Sequence, residues 1–363
     1  MKNPIRIIFA GGGTGGHLYS GIAVAQELKR KYPDAEILFV GTEYGLEKTI
    51  VPQEGYELQC IEVAPLKGSS LKRRLKSLAQ LPKAFRQSRQ IIRQFKPTIV
   101  LGIGGYASGP LTLTARWLGI KTAIIEQNAY PGFANRILGK FVHKVFLASK
   151  RAASFFKPHK VFVTGNPVRL GFLNDEAARQ TSERFTIFVL GGSQGANRLN
   201  LAMLGSLLYL HDIKDQLCIL HQTGKADFER VKEVYARDNI EAEVFEFIAN
   251  VKDFYARADL VICRSGAGTI TELTMLGKPA ILVPYPFAAD DHQFYNAMDL
   301  VDAGCAEIIY DWDLTGERIA ERIKFFMNHP EELAKRSQIA KTLARPMAAS
   351  DVLEESLNML SPV

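Results

Sequence analysis

Short, apolar, β-branched runs alternate along the chain with longer stretches in which apolar residues return every three or four positions. The runs Ile5–Ala10, Glu36–Val40, Thr98–Leu101, Thr122–Ile125, Val145–Ala148 and Val161–Val163 predict a first set of strands. After Thr164–Arg169 (TGNPVR) the rhythm restarts, and Phe185–Leu190, Leu217–His221, Val244–Phe247, Leu260–Cys263, Ala280–Val283 and Glu307–Ile309 predict a second set. Amphipathic stretches such as Phe228–Ala236 and Asp291–Ala303 predict helices between them. Strand and helix in regular succession imply parallel α/β layers, and the restart implies two doubly wound parallel-sheet domains, residues 1–164 and 165–346. Ala348–Leu360, beyond Pro346, reads as a final amphipathic helix with no strand to follow it.

Composition supports two cores and narrows the setting. The 363 residues are 47% hydrophobic, as in an ordinary globular protein. No apolar run reaches the roughly 18 residues of a membrane span, and no signal peptide is readable, so a cytoplasmic location is expected. Cys60, Cys218, Cys263 and Cys305 lie far apart, which argues against a disulfide framework or a zinc site. The net charge of +7 conceals an asymmetry: residues 1–165 hold 25 Lys and Arg against 9 Asp and Glu, whereas the remainder holds 20 against 29. Between Val63 and Asn174 the only acid is Glu126. A half of one sign points to a polyanionic partner: nucleic acid, acidic lipid or a phosphorylated substrate.

A strand, glycine loop and helix recur three times: FAGGGTGGH (Phe9–His17), GIGGYASG (Gly102–Gly109) and VLGGSQGAN (Val189–Asn197). Such loops suit phosphate, because glycine lets backbone N–H groups approach an anion and the helix that follows offers unpaired donors. The first contains Gly11-x-Gly13-x-x-Gly16, the spacing of a dinucleotide fingerprint. A nicotinamide site also demands an acid at the end of the second strand, where this chain has Gly41, with Glu43 displaced into the next segment. A dehydrogenase is therefore disfavoured, and a P-loop is absent because no glycine loop continues as Gly-Lys-Ser/Thr.

Four further segments carry candidate chemistry. CRSGAGTITE (Cys263–Glu272) leaves a strand, turns through two glycines and enters a helix bearing Glu272, a carboxylate placed either for a ribose diol or simply for the helix dipole. PYPFAADDHQFYNA (Pro284–Ala297) sets Asp290, Asp291, His292 and Gln293 at another strand-to-helix junction, for sugar hydroxyls or for helix capping. Asp311-Trp312-Asp313 has the spacing of a metal-binding pair but reads as loop and helix cap, so no metal is expected. Leu66–Lys96 carries ten Lys and Arg and no acid, interleaved with Leu71, Leu75, Leu78 and Phe85. That pattern fits either an apolar strip with a cationic fringe for anionic lipid, extended by Trp117 and Lys140, or a solvated basic helix over the core.

In this order GGGTGGH, GGYASGP, EQN, GNPVR, GGSQGA, SGAGTITE and DDHQ resemble a family of GT-B glycosyltransferases. These enzymes move N-acetylglucosamine from UDP-GlcNAc onto undecaprenyl-pyrophosphoryl-MurNAc-pentapeptide, converting lipid I to lipid II in peptidoglycan synthesis. The resemblance runs from Ile5 to the last helix. It implies two Rossmann-like domains facing across a cleft, with residues 347–363 crossing back to the first, acceptor- and membrane-binding domain. It also implies a peripheral place on the cytoplasmic face of the membrane, no cofactor and no nucleic-acid partner. UDP-GlcNAc contacts are implied for Thr14, Gly15, Gly16, Asn128, Arg169, Ser193, Ile248, Ala267, Gly268, Thr269, Glu272 and Gln293, and acceptor contacts for Gly104, Gly105, Tyr106 and Asn135. Some relatives have two glutamines where this chain has His292-Gln293, which leaves the role of position 292 open.

His17 is the nominated general base for an inverting transfer, a role open to a neutral imidazole; the alternative is a loop histidine that orients substrate. Glu126 is the second catalytic candidate, either orienting His17 or an acceptor hydroxyl, or else serving as counter-ion to a nearby Arg or Lys. Competing readings are another GT-B enzyme, such as a glycolipid synthase or a UDP-GlcNAc 2-epimerase, and a nucleic-acid-binding protein. The basic run lacks a helix-turn-helix, zinc or aromatic RNA-binding motif.

Overall fold

The structure is a computed structural model that describes residues 4–63, 71–173, 183–192 and 195–360. It divides into two compact units: Met1–Gly171 with Arg345–Val363, and Phe172–Ala344. Among the described residues no helix is long and apolar enough to cross a membrane.

The first unit is built on a seven-stranded parallel sheet of β1 (Arg6–Gly11), β2 (Glu36–Gly41), β3 (Glu57–Cys60), β4 (Ile99–Gly104), β5 (Lys121–Glu126), β6 (Lys144–Leu147) and β7 (Val161–Val163). The spatial order is β3-β2-β1-β4-β5-β6-β7, so strand order reverses between β1 and β4. Alternate residues of each strand serve opposite faces. Ile7 and Phe9 pack with Leu18, Ile22 and Leu28 of α1 (Gly15–Lys31), whereas Ile8 and Ala10 pack with Ile91 and Ile92. The remaining helices used below are α2 (Glu47–Gln53), α3 (Leu71–Phe95), α4 (Ser108–Trp117) and α5 (Phe133–Leu138). β3 is an edge strand absent from the pattern reading, because ELQC offers only two apolar side chains and no β-branched one.

The C-terminal helix Ala348–Leu357 belongs to the first unit. Val352 and Leu353 are fully buried in the α1 side of the core, each worth about 1.5–3 kcal/mol relative to exposure. Lys31 secures it further by donating to Ser350 Oγ (2.6 Å) and Glu354 Oε1 (2.7 Å). The segment Gly165–Arg169 also stays with this unit: Leu170 N–H bonds Gln26 Oε1 at 3.3 Å, and the unit boundary falls at Gly171 rather than near 165.

The second unit repeats the plan with six parallel strands: β8 (Phe185–Leu190), β9 (Leu217–Gln222), β10 (Ala242–Phe245), β11 (Leu260–Cys263), β12 (Ala280–Leu282) and β13 (Ala306–Ile308). Their order, β10-β9-β8-β11-β12-β13, reverses between β8 and β11. Ile187 and Val189 face the helices carrying Leu199, Met203, Ile319 and Ile323, and Phe188 and Leu190 face Tyr255, Leu273 and Leu300. In open parallel sheets, ligands bind beyond the carboxyl ends of the strands flanking such a reversal. The loops after β1, β4, β8 and β11 are therefore the places to examine.

Candidate active site

At the reversal in the first sheet, the loops after β1 and β4 are packed against one another. Gly12 N–H bonds Gly104 O at 3.1 Å. The Gly13 N–H is taken from within the protein: it donates to Glu47 Oε2 at 2.7 Å, while Glu47 Oε1 accepts from the Thr42 N–H and Thr42 Oγ1, both at 2.8 Å. Glu47, at the start of α2 and 1% exposed, thus holds a carboxylate under the first glycine loop. This residue went unnoticed in the sequence, although an acid a few positions beyond the second strand was visible there. Thr14, Gly15 and Gly16 form the N-cap and first turn of α1, and Thr14 makes no side-chain capping bond.

His17 lies in that first turn, half-buried, with its ring against Gly104. A Cβ at Gly104 would come within 2.6 Å of His17 Nδ1, and φ there is +98°, so both space and backbone require glycine. The glycines assigned to the acceptor, Gly104 and Gly105, are thus used by the protein itself, Gly105 against the Gly12 backbone. Tyr106 beside them is 48% exposed. His17 Nδ1 is 2.8 Å from Oε1 of Gln127, the residue after Glu126 at the end of β5.

Glu126 does not orient His17, and no cation pairs with it among the described residues, which corrects both expectations. Its Oε1 accepts from Asn128 N–H (2.9 Å) and Asn128 Nδ2 (3.2 Å), and its Oε2 from Gly132 N–H (3.0 Å) and Asn135 Nδ2 (2.9 Å). At 1% exposure it is the internal post of the loop joining β5 to α5. Asn135 likewise departs from its acceptor-lining role: it is 2% exposed, and its amide also donates to Ile125 O at 3.1 Å. Arg169, an implied UDP-GlcNAc contact, belongs to the first unit, its guanidinium 4.2 Å from the Tyr19 ring centroid and 4.0 Å from Glu54.

In the second unit, the loop after β8 runs through Gly191, Gly192, Gly195 and Ala196 into the helix Asn197–Leu210; Ser193 lies outside the described residues. Gly195 has φ +76°, and a Cβ there would sit 2.1 Å from Thr223 O, so glycine is obligatory. Gln222 joins the glycine loop to a predicted position: its Nε2 donates to Gly192 O (2.9 Å) and its Oε1 accepts the Ile248 N–H (3.1 Å). The amide face of Ile248 is therefore already used. Beneath this loop Asp227 accepts from Asn197, Asn200 and Arg230, and Asn200 Oδ1 meets His221 Nε2 at 3.1 Å. Burial pushes the fully enclosed His221 down to about 3, so it is neutral at ordinary pH.

After β11, Gly266 caps the helix Ala267–Leu276 in extended conformation, which places Ala267, Gly268 and Thr269 in its first turn. Glu272, one turn further on, accepts from the buried Tyr255 hydroxyl at 3.0 Å. Burial, with Glu272 beside it, raises the Tyr255 phenol well above its usual value, which keeps it a donor. Gln293 Oε1 accepts the Tyr285 N–H at 2.9 Å, which points its amide nitrogen the other way, with no partner for it among the described residues. His292 Nδ1 is 2.8 Å from Ala289 O and so carries the proton. Asp311 is 5% exposed; its Oδ1 pairs with the buried Arg264 at 2.9 Å and its Oδ2 with Arg198 at 3.1 Å. The cap of the next helix is Thr315, which accepts from Arg318 N–H, rather than either aspartate.

On the first unit, α3 and α4 leave a groove of about 350 Å³ lined by Phe85, Arg86, Arg89, Thr114, Trp117 and Leu118. Trp117 is 67% exposed, its ring 5.3 Å from that of Phe85. Residues 64–70 and the side chains of Lys72, Arg73, Arg74 and Lys76 lie outside the description.

Two reversed-order parallel sheets, each with glycine loops and helix N-termini at its reversal, are the two halves of the GT-B fold. Sequence comparison makes this specific. Residues 7–147 match the glycosyltransferase family 28 N-terminal domain and residues 186–352 the glycosyltransferase family 28 C-terminal domain. The chain belongs to glycosyltransferase family 28.

It is 45% identical to the UDP-N-acetylglucosamine--N-acetylmuramyl-(pentapeptide) pyrophosphoryl-undecaprenol N-acetylglucosamine transferase of Myxococcus xanthus, over 98% of this chain and 93% of that one. Identity to the same-named protein of Citrifermentans bemidjiense is 46%, over 96% and 98% of the two chains. The crystal structure of Acinetobacter baumannii MurG superposes with a TM-score of 0.79 at 30% identity, covering 98% of this chain and all of that one.

Proposed function

We propose that this enzyme transfers N-acetylglucosamine from UDP-GlcNAc to the 4-hydroxyl of undecaprenyl-pyrophosphoryl-MurNAc-pentapeptide, with inversion at the anomeric carbon. The near-full-length identity to relatives bearing that name supports the substrates. The observation that carries the chemistry is His17, a histidine at the reversal of the first sheet whose Nε2 has no protein partner among the described residues. The acceptor oxygen forms a bond to the anomeric carbon as the bond to the UDP oxygen breaks. The hydroxyl proton passes to His17 Nε2, and UDP departs with the bonding pair.

Charge on the departing diphosphate is met by N–H donors at the starts of the helices Asn197–Leu210 and Ala267–Leu276. Glu272 receives the ribose hydroxyls and the amide nitrogen of Gln293 a sugar hydroxyl. No metal is assigned, since both oxygens of Asp311 are held by guanidinium groups. The apolar groove at Phe85 and Trp117, flanked by the basic α3, supports peripheral attachment to the cytoplasmic face of an anionic membrane.

Release of UDP from UDP-GlcNAc, with and without a lipid I analogue and with UDP-GalNAc as a control, tests this reading. Acceptor-dependent release is expected. Release indifferent to acceptor, or formation of the 2-epimeric sugar nucleotide, would favour a different GT-B activity. His17→Ala that kept near wild-type turnover at saturating substrates would remove the base assignment.

A further inference from the structure

We propose that Gln127 is a positioning residue that locks His17 in the tautomer protonated at Nδ1, leaving the Nε2 lone pair for the acceptor hydroxyl. This rests on His17 being the base, and it names what makes that base competent.

Gln127 is 3% exposed, and its Nε2 lies 3.0 Å from Ile103 O and 2.9 Å from Ser20 Oγ. A backbone carbonyl can only accept, so the NH2 end of the side chain must face Ile103. The Ser20 hydroxyl spends its own proton on Gly16 O or His17 O, both at 3.0 Å, and therefore accepts from Gln127 as well. Both amide protons are thus committed, and the group nearest His17 Nδ1, at 2.8 Å, is necessarily the amide oxygen, an acceptor. Nδ1 must then carry the proton.

In a neutral ring, one nitrogen protonated leaves the other with the lone pair, and here that other is Nε2. When Nε2 takes the hydroxyl proton, the imidazolium keeps its Nδ1–H bond to a neutral amide. The pieces come from three places in the chain: α1 supplies His17 and Ser20, β4 supplies the Ile103 carbonyl, and Gln127 directly follows β5.

The test is the 15N spectrum of ring-labelled protein, with His17 assigned by its absence in His17→Asn. Wild-type His17 is expected to show a protonated Nδ1 and an unprotonated Nε2. Gln127→Met, which removes the acceptor and keeps the length, is expected to shift the ring toward the other tautomer. Its kcat should fall at least about tenfold, with KM for UDP-GlcNAc within about twofold. A wild-type ring protonated at Nε2 would overturn the proposal, as would a Gln127→Met protein whose tautomer is unchanged, whatever its kcat. Should that variant fail to fold, the wild-type spectrum decides alone. Failure of the base reading is separable, because it shows as activity retained without His17 and leaves the tautomer measurement intact.

Discussion

Glu126→Gln separates an internal post from a catalytic acid. Each oxygen of the native carboxylate accepts two N–H donors, at 2.9 and 3.2 Å on one side and 3.0 and 2.9 Å on the other. An amide in the same place keeps one oxygen and sets an NH2 against two donors. Two N–H groups facing this buried carboxylate then lose their acceptor, at about 1–3 kcal/mol each, so the cost is roughly 2–6 kcal/mol. Even the lower bound corresponds to a fall in midpoint of roughly 4–8 °C for a unit of this size. Thermal unfolding followed by circular dichroism reads this directly, the two units being free to unfold in separate transitions. The expected result is a destabilised first unit, with kcat lowered in step with the fraction of disordered β5–α5 loop. An unchanged unfolding profile with kcat reduced by a hundredfold or more would refute the reasoning and return Glu126 to the reaction.

Further outcomes follow from the structure and the sequence. His221 is held near 3, against a usual value near 6.5, so the unfolded chain binds a proton that the folded one refuses. Stability is full above pH 6.5 and falls as pH drops toward 3, by up to about 1.4 kcal/mol per pH unit, and urea titrations from pH 7 to 4 should show this slope flattened in His221→Gln. Asp311→Asn leaves Arg264 buried without its counter-ion, a loss of about 3–5 kcal/mol by chemical denaturation; turnover of the wild type should survive a chelator. Neutralising Lys72, Arg73, Arg74 and Lys76 should weaken sedimentation with anionic vesicles, each removed charge being worth about 1 kcal/mol near such a surface, and Trp117→Ser should weaken it at any salt concentration.

The architecture was legible because parallel strands covered on both faces read as continuous apolar runs, which Ile5–Ala10 and Phe185–Leu190 supply without ambiguity. What escaped was local hydrogen bonding. Glycine density predicted anion cradles after β1 and β4, yet much of it answers to close approach between the two loops and to the imidazole lying on Gly104. In the motif EQN the sequence draws attention to Glu126 and Asn128, whereas the contact to His17 is made by Gln127. Successive residues at a strand end point to opposite sides, so a Glu126 turned into the β5–α5 loop sends Gln127 toward α1. That alternation was the available signal, and charge outweighed it. Arg264 and Asp311, 47 positions apart, meet only through the order of the second sheet, which no spacing rule in the chain reveals.

Glu47 gives the first glycine loop an occupant of its own. A turn of this composition, left empty, would have to be shaped by whatever anion arrived, and part of the binding energy would go into that ordering. Here the chain brings its own carboxylate, hydrogen-bonded to Gly13 and Thr42, so the turn is shaped from within. The same carboxylate takes the Gly13 N–H that a foreign phosphate would need, so one donor of a fingerprint spelled for a dinucleotide is spent on a residue more than thirty positions away.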